Sequence, residues 1–256
     1  MKAILFFLAA STGIIFAQDA SAPNEKDSAI AISQELKALI DAPTLSDTQW
    51  NNVDAEIDGY QKQFGVSPQT TNNVVLLRKS ELKLADSLNN PEKYDALVQK
   101  LSHDPVPEVA ALVARIVELK SKPLDLKFTA VDGRAVDLSA LRGKVVLIDF
   151  WATWCGPCVG EVPNVVSTYQ KYHDQGFEIV GISLDEDKDA LQSFTASKGM
   201  TWPQYFDGQG WKNAISSSFE IHSIPAMWLV NKQGMLVTMD GRNDLEGQVA
   251  KLVTAP

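Results

Sequence analysis

Cysteine and histidine are scarce in this 256-residue chain, which has two cysteines, Cys155 and Cys158, and three histidines, His103, His173 and His222. A four-ligand structural zinc cage would need nearly all of them, drawn from remote places. A disulfide-stapled scaffold is excluded too, because cysteines three residues apart close almost no loop. Basic side chains are outnumbered, 23 against 32 acidic for a formal charge of −9. That leaves no basic stripe to neutralise phosphates, so nucleic acid is not an expected partner. No apolar run reaches the ~20 residues a membrane span needs. With 45% apolar and 21% charged residues and no biased tract, the composition is that of a soluble globular protein of one large domain or two small ones.

The N-terminus reads as an address. Met1-Lys2 supplies one positive charge, Ala3 to Phe16 is apolar apart from Ser11, Thr12 and Gly13, and Ala17 precedes polar Gln18-Asp19. The pattern predicts a signal peptide over 1–17 with cleavage near Ala17, the alternative being an uncleaved N-terminal anchor. Export would place the two cysteines where disulfides persist, with the bacterial periplasm the expected compartment.

The rest divides into two halves of different periodicity, each with the same excess of acid. Over 18–122 the spacing is helical: Trp50, Val53, Ile57, Tyr60 and Phe64 line one face, as do Leu77, Leu84 and Leu88, then Val109, Leu112, Val113 and Ile116. Ser46 with Gln49 predicts a capping box, and Ser67-Pro68, Asn90-Pro91 and Asp104-Pro105 each predict a capped helix start. About five helices are expected in a small all-helical domain whose sequence carries no chemistry. His103 beside Asp104 reads as a surface pair.

At Ser121-Lys122-Pro123 the helical pattern stops, which puts the domain boundary there. Asp132-Gly133 predicts a hairpin turn. Val145 to Phe150 reads as a central strand covered on both faces, followed directly by a helix. Phe177 to Leu184, Ala226 to Val230 and Met235 to Met239 read as further strands, with a helical stretch from Asp185 to Lys198. Such alternation implies a layered α/β domain over 123–256, its first two core strands parallel and its end an antiparallel hairpin.

The chemistry lies in Trp154-Cys155-Gly156-Pro157-Cys158, between a strand and a helix start. Unpaired N–H groups and the positive end of the helix dipole favour a thiolate there, lowering its pKa below the ~8.5 of free cysteine. Cys155 is the expected nucleophile. Cys158, one turn on and less exposed, is the expected resolving thiol. A half zinc site is the competing reading, but the chain has no second ligand pair. Asp149, in an otherwise apolar strand end, is expected to have its pKa raised by desolvation and so to accept the Cys158 proton. Glu161, nearly one turn past Cys158, is a second acid able to share that role or to tune the thiolate.

These residues carry a resemblance to the thioredoxin superfamily, and within it to the exported TlpA-like (ResA-like) branch. The likeness covers about Leu124 to Val253 and rests on Asp137 to Lys144, on Val146 to Cys158, on Ser223-Ile224-Pro225 and on Asn231-Lys232-Gln233-Gly234. It implies a thioredoxin-like fold, a mixed sheet flanked by helices, behind the helical N-terminal domain. Pro163 matches the proline that kinks the active-site helix, and Pro225 matches a loop proline held in cis opposite the cysteines, so that Ile224 offers backbone to an extended substrate. Both Asp149 and Glu161 match family acids, the first of ordinary thioredoxins and the second of the TlpA-like branch. Trp151 is expected in the core, Trp154 on the surface. Substrate contacts are expected from Trp154, Gly156, Pro157, Ile224 and Pro225, while His222 and His173 read as surface residues.

The resemblance implies a thiol–disulfide oxidoreductase, needing no cofactor or metal beyond the Cys155–Cys158 couple. Its substrates would be oxidised protein thiols and its electrons would come from a membrane-bound donor. Gly156-Pro157 and Asp149 favour a reductase. The alternatives are a thiol peroxidase, against which the Trp-Cys-Gly-Pro-Cys signature speaks, and a binding protein whose helical domain recruits a partner with the redox domain auxiliary.

Overall fold

Side-chain caps start most of the helices in the first half. In the computed structural model, which describes residues 24–40, 45–88 and 90–255, five helices come first: α1 (Glu25–Ile40), α2 (Asp47–Phe64), α3 (Pro68–Ser87), α4 (Pro91–Leu101) and α5 (Pro107–Ser121). The expected signal peptide over 1–17 lies outside the described residues. The predicted capping box closes: the Gln49 N–H donates to Ser46 Oγ at 3.3 Å and the Ser46 N–H to Gln49 Oε1 at 3.0 Å. Ser67 and Asn90 accept from the Thr70 and Lys93 amides at 3.0 and 3.2 Å, as their position before proline predicts.

Asp104-Pro105 does not start a helix. The Asp104 carboxylate turns back to accept the Val106 N–H at 2.8 Å and faces the Arg78 guanidinium at 3.6 Å, so α5 begins two residues later at Pro107 without a side-chain cap. Nor is Asp104 half of a surface pair: it is buried against Arg78, while the exposed His103 ring contacts Ser102 Oγ and the Gln99 carbonyl.

The apolar faces meet in one core holding Leu36, Val53, Ile57, Val74, Leu84, Leu101 and Val109, each side chain contributing roughly 1.5–3 kcal/mol by leaving water. At the edge of this core sits a charge cluster centred on buried Arg78 and Glu81 and reaching out to exposed Asp58. Arg78, 1% exposed, donates to Glu81 at 2.8 Å and to Asp54 at 3.1 Å and pairs with Asp58. Burial pushes the Glu81 carboxyl up to about 7 against the opposing pull of Arg78.

In the second half, β1 (Lys127–Thr129) and β2 (Ala135–Asp137) form a separate antiparallel hairpin turning at Gly133, φ 87°. The main sheet has five strands in the order β5-β4-β3-β6-β7. Its centre is β3 (Val145–Trp151), buried along its whole length. β4 (Phe177–Ser183) runs parallel to it and β6 (Ala226–Val230) antiparallel. β7 (Leu236–Thr238) closes the predicted hairpin with β6, and β5 (Gln204–Tyr205) adds an edge beside β4. Four helices accompany them: α6 (Gly156–Tyr172), α7 (Lys188–Lys198), α8 (Ala214–Ser218) and α9 (Leu245–Thr254). α7 starts later than Asp185 because Asp187 takes the cap, accepting from the Asp189 and Ala190 amides. This half has its own core, around Leu147, Phe150, Phe177, Ile179 and Leu229.

The halves meet along the end of β7. Thr238 Oγ1 hydrogen-bonds Asp86, Lys83 Nζ reaches Asp240 at 3.2 Å, and Met239 packs against both cores. Among the described residues, no helix is long and apolar enough to cross a membrane.

Candidate active site

β3 delivers the chain to a tight loop that ends on the first turn of α6. Cys155 is the N-cap of that helix and Pro157 sits in its first turn, where a missing N–H costs nothing. The Cys158 amide donates to Cys155 Sγ at 3.2 Å, and the two sulfurs are joined as a disulfide. A sulfur at a helix N-cap that already accepts an amide hydrogen bond is one whose thiolate the helix will stabilise. Cys155 is 6% exposed and Cys158 3%, so both are nearly covered, in the expected order. Gly156 and Pro157 stand exposed beside them.

The loop after β4 pins the loop after β3. Buried Asp185 accepts the Thr153 N–H at 3.0 Å and its hydroxyl at 2.6 Å, and is itself held by Ser183 Oγ at 2.7 Å. Trp154 lies 54% exposed with its indole N–H on the Leu184 carbonyl at 3.3 Å. Its ring meets that of exposed Trp211 at 6.0 Å between centroids. Trp151, by contrast, is buried and donates to Gln204 Oε1 at 3.0 Å.

Two acids were expected near the cysteines, and the structure puts them in different settings. Asp149 is buried on β3, where desolvation, reinforced by the Glu161 charge, pushes its carboxyl up to about 7. Glu161 is half-buried on α6 and accepts the Arg242 Nε–H at 2.7 Å. Pro163 lies inside α6. The Ile224–Pro225 bond is cis, with both residues half-buried ahead of β6. His222 and His173 are exposed, and His173 stacks on Tyr169. Among the described residues, no three His, Cys, Asp or Glu side chains group as a metal would require.

Sequence reasoning missed Asp185, Gln204, Trp211 and Arg242. Only Asp185, an acid just past an apolar strand, carried a local signal; the others act through contacts with residues far away in the chain.

A cysteine pair at a helix N-cap beside a mixed sheet, with a buried strand acid and a cis-proline loop, defines a thioredoxin-superfamily protein. Residues 102–255 match the Redoxin family, and the chain belongs to it, with its likeness on the ResA/TlpA side. It is similar to the thiol-disulfide oxidoreductase ResA of Bacillus subtilis, 33% identical over 106 residues that make up 41% of this chain and 58% of that protein. The ResA of Bacillus thuringiensis is 32% identical over 128 residues, 48% of this chain and 72% of that protein. The chain thus spans little more than half the length of the first relative and under three quarters of the second. Among solved structures, the thioredoxin domain of a Bacteroides vulgatus thiol-disulfide oxidoreductase is 28% identical, covering 53% of this chain and 98% of that one with a TM-score of 0.47.

Proposed function

We propose that this protein is an exported protein-disulfide reductase whose working couple is Cys155–Cys158. The Cys155 thiolate attacks a partner disulfide, forming a mixed disulfide and releasing one partner thiolate. Cys158 then gives its proton to the Asp149 carboxylate and attacks Cys155 Sγ, releasing the second partner thiolate. Two electrons pass from the dithiol to the partner. Glu161 tunes the charge around Asp149. The observation that carries this reading is the Cys158 N–H bonded to Cys155 Sγ at the N-cap of α6, which favours a thiolate at the outer sulfur.

Trp154, Gly156, Pro157, Ile224 and Pro225 form the substrate face in this reading, supported by their exposed or half-buried positions. No further cofactor enters. The substrates are oxidised protein thiols, the compartment is the periplasm reached through the 1–17 signal, and a membrane-bound donor re-reduces the disulfide. Separate cores support a division into a helical domain over 18–122 and a thioredoxin-like domain over 123–256.

Equilibration against dithiothreitol or glutathione, followed by tryptophan fluorescence, tests the direction. A midpoint well below the glutathione couple is expected; one well above it makes the protein a disulfide donor and removes the reductase reading. Cys158→Ser should accumulate mixed disulfides on Cys155, and Cys155→Ser none.

A further inference from the structure

β3, β4 and β5 bring three residues into one row across the sheet. Asp149 is the register partner of Gly181, and Gly181 of Gln204. Residues paired in this way point to the same face, and Trp151, two positions after Asp149, shares it. Gly181 contributes no side chain to the row. Its space is taken by the Gln204 amide: a Cβ on residue 181 would sit 1.9 Å from Gln204 Oε1 and 2.8 Å from Nε2. Gln204 therefore reaches inward over β4, toward the strand that carries Asp149.

The amide's orientation is set by one bond, the Trp151 indole N–H on Oε1 at 3.0 Å. That assigns the acceptor and leaves Nε2 as the free donor of the amide, above Gly181 and one strand away from Asp149. Gln204 is 3% exposed, and its Nε2 is buried without a hydrogen-bond partner. A buried donor in that state is unfavourable unless some state of the protein uses it. Asp149 is the complementary case. Among the described residues no donor is hydrogen-bonded to its carboxyl, the ionisable group acting on it is Glu161 of α6, tied to Arg242, and β6 opposes it with Met227.

We propose that Gln204 is a positioning residue for Asp149: across the gap left by Gly181, its Nε2–H supplies the donor that the Asp149 carboxylate draws on when it ionises. In the proposed cycle the proton leaves Cys158 Sγ for that carboxylate, so Asp149 must reach the charged form inside an apolar layer. A donor aimed at the charged form favours it and opposes burial. The same donor holds the carboxylate in one place while the proton arrives.

This inference rests on the proposed role of Asp149, and its test is chosen to be independent of turnover. The Asp149 carboxyl is titrated by carbon NMR in the oxidised full chain, in the unsubstituted protein and in Gln204→Met, which keeps the volume and removes the donor. The expected result is an upward shift of the Asp149 midpoint by about one pH unit, with the same upward move of the acid limb of disulfide reduction. Gln204→Glu, of the same shape, should shift it further in the same direction and serves where the Met variant folds poorly. An Asp149 midpoint unmoved in a folded variant overturns the proposal, even if activity falls. A protein that reduces no disulfide but shows the shift leaves Gln204 positioning Asp149 and removes only the reductase reading.

Discussion

Arg242 holds Glu161 by an Nε–H to Oε1 bond of 2.7 Å, joining residues 81 positions apart and tying the segment after β7 to the active-site helix. The pair bears on Asp149, because the Glu161 charge is one of the causes of that carboxyl's raised pKa.

Removing the Glu161 charge should therefore ease the ionisation of Asp149. Glu161→Gln is expected to lower the Asp149 midpoint by a fraction of a unit to about one unit, moving the acid limb of the pH–rate profile down. Arg242→Ala, which unmasks the Glu161 charge, should move it up. An Asp149 midpoint unmoved in both variants would mean that the acids do not communicate.

Asp149 also makes stability depend on pH, with a definite sign. Its folded pKa, about 7, lies above the ordinary 3.8, so its contribution is fully present below about pH 4 and is lost as pH rises to about 7. At pH 8 the buried charge weighs against the fold by up to about 4 kcal/mol, at ~1.4 kcal/mol per unit. Urea unfolding of the oxidised protein should show Asp149→Asn more stable than the unsubstituted chain by roughly 2–4 kcal/mol at pH 8. Near pH 4 the two should nearly coincide.

Asp185 holds the loop that presents Cys155. Asp185→Ala strands the Thr153 N–H and the Ser183 hydroxyl, and should lower stability by about 2–4 kcal/mol. Thiolate formation at Cys155, followed by alkylation of the reduced protein, should become slower or shift in pH. Asp185→Asn, which retains acceptor capacity, should recover most of both.

In the helical half, Arg78→Ala leaves buried Glu81 and the Asp104 carboxylate without their cation, while Lys100 still pairs with Asp54 and Asp58. A loss of about 3–5 kcal/mol is expected, read as a lower thermal midpoint by far-UV circular dichroism. Because the same half has its own core, the loss should fall first on helical signal, with the Trp154 environment disturbed later.

How far the sequence revealed this protein depends on the range over which each feature is determined. Ser46 with Gln49, the apolar run of β3 and the proline after Gly156 are local, and each appears where its spacing predicts. β5, two residues long, has no periodicity to detect, and α8 is a five-residue helix between loops. Asp104-Pro105 had the right letters for a helix start, but a distant guanidinium claimed the side chain. Nothing local marks Arg78, whose carboxylate partners come from α2, from its own helix and from the loop before α5. In the site, the cysteines and Asp149 were legible because an acid or a thiol pair stands out in its own segment. Gln204, Trp211 and Arg242 were not, since their significance comes from Trp151, Trp154 and Glu161, which only folding brings near.

The end of β7 carries a further consequence. Within five residues, Thr238 bonds Asp86, Asp240 pairs with Lys83, and Arg242 holds Glu161. This stretch is a seam stitched on one edge to the helical half and on the other to the active-site helix. Cutting the chain at the boundary near Pro123 would unpick the first edge, taking Lys83 away from Asp240, just two positions from the arginine that holds Glu161. The two halves can be separated on paper more cleanly than in solution, since a thioredoxin-like fragment made alone would leave Thr238 and Asp240 without the partners that Asp86 and Lys83 supply.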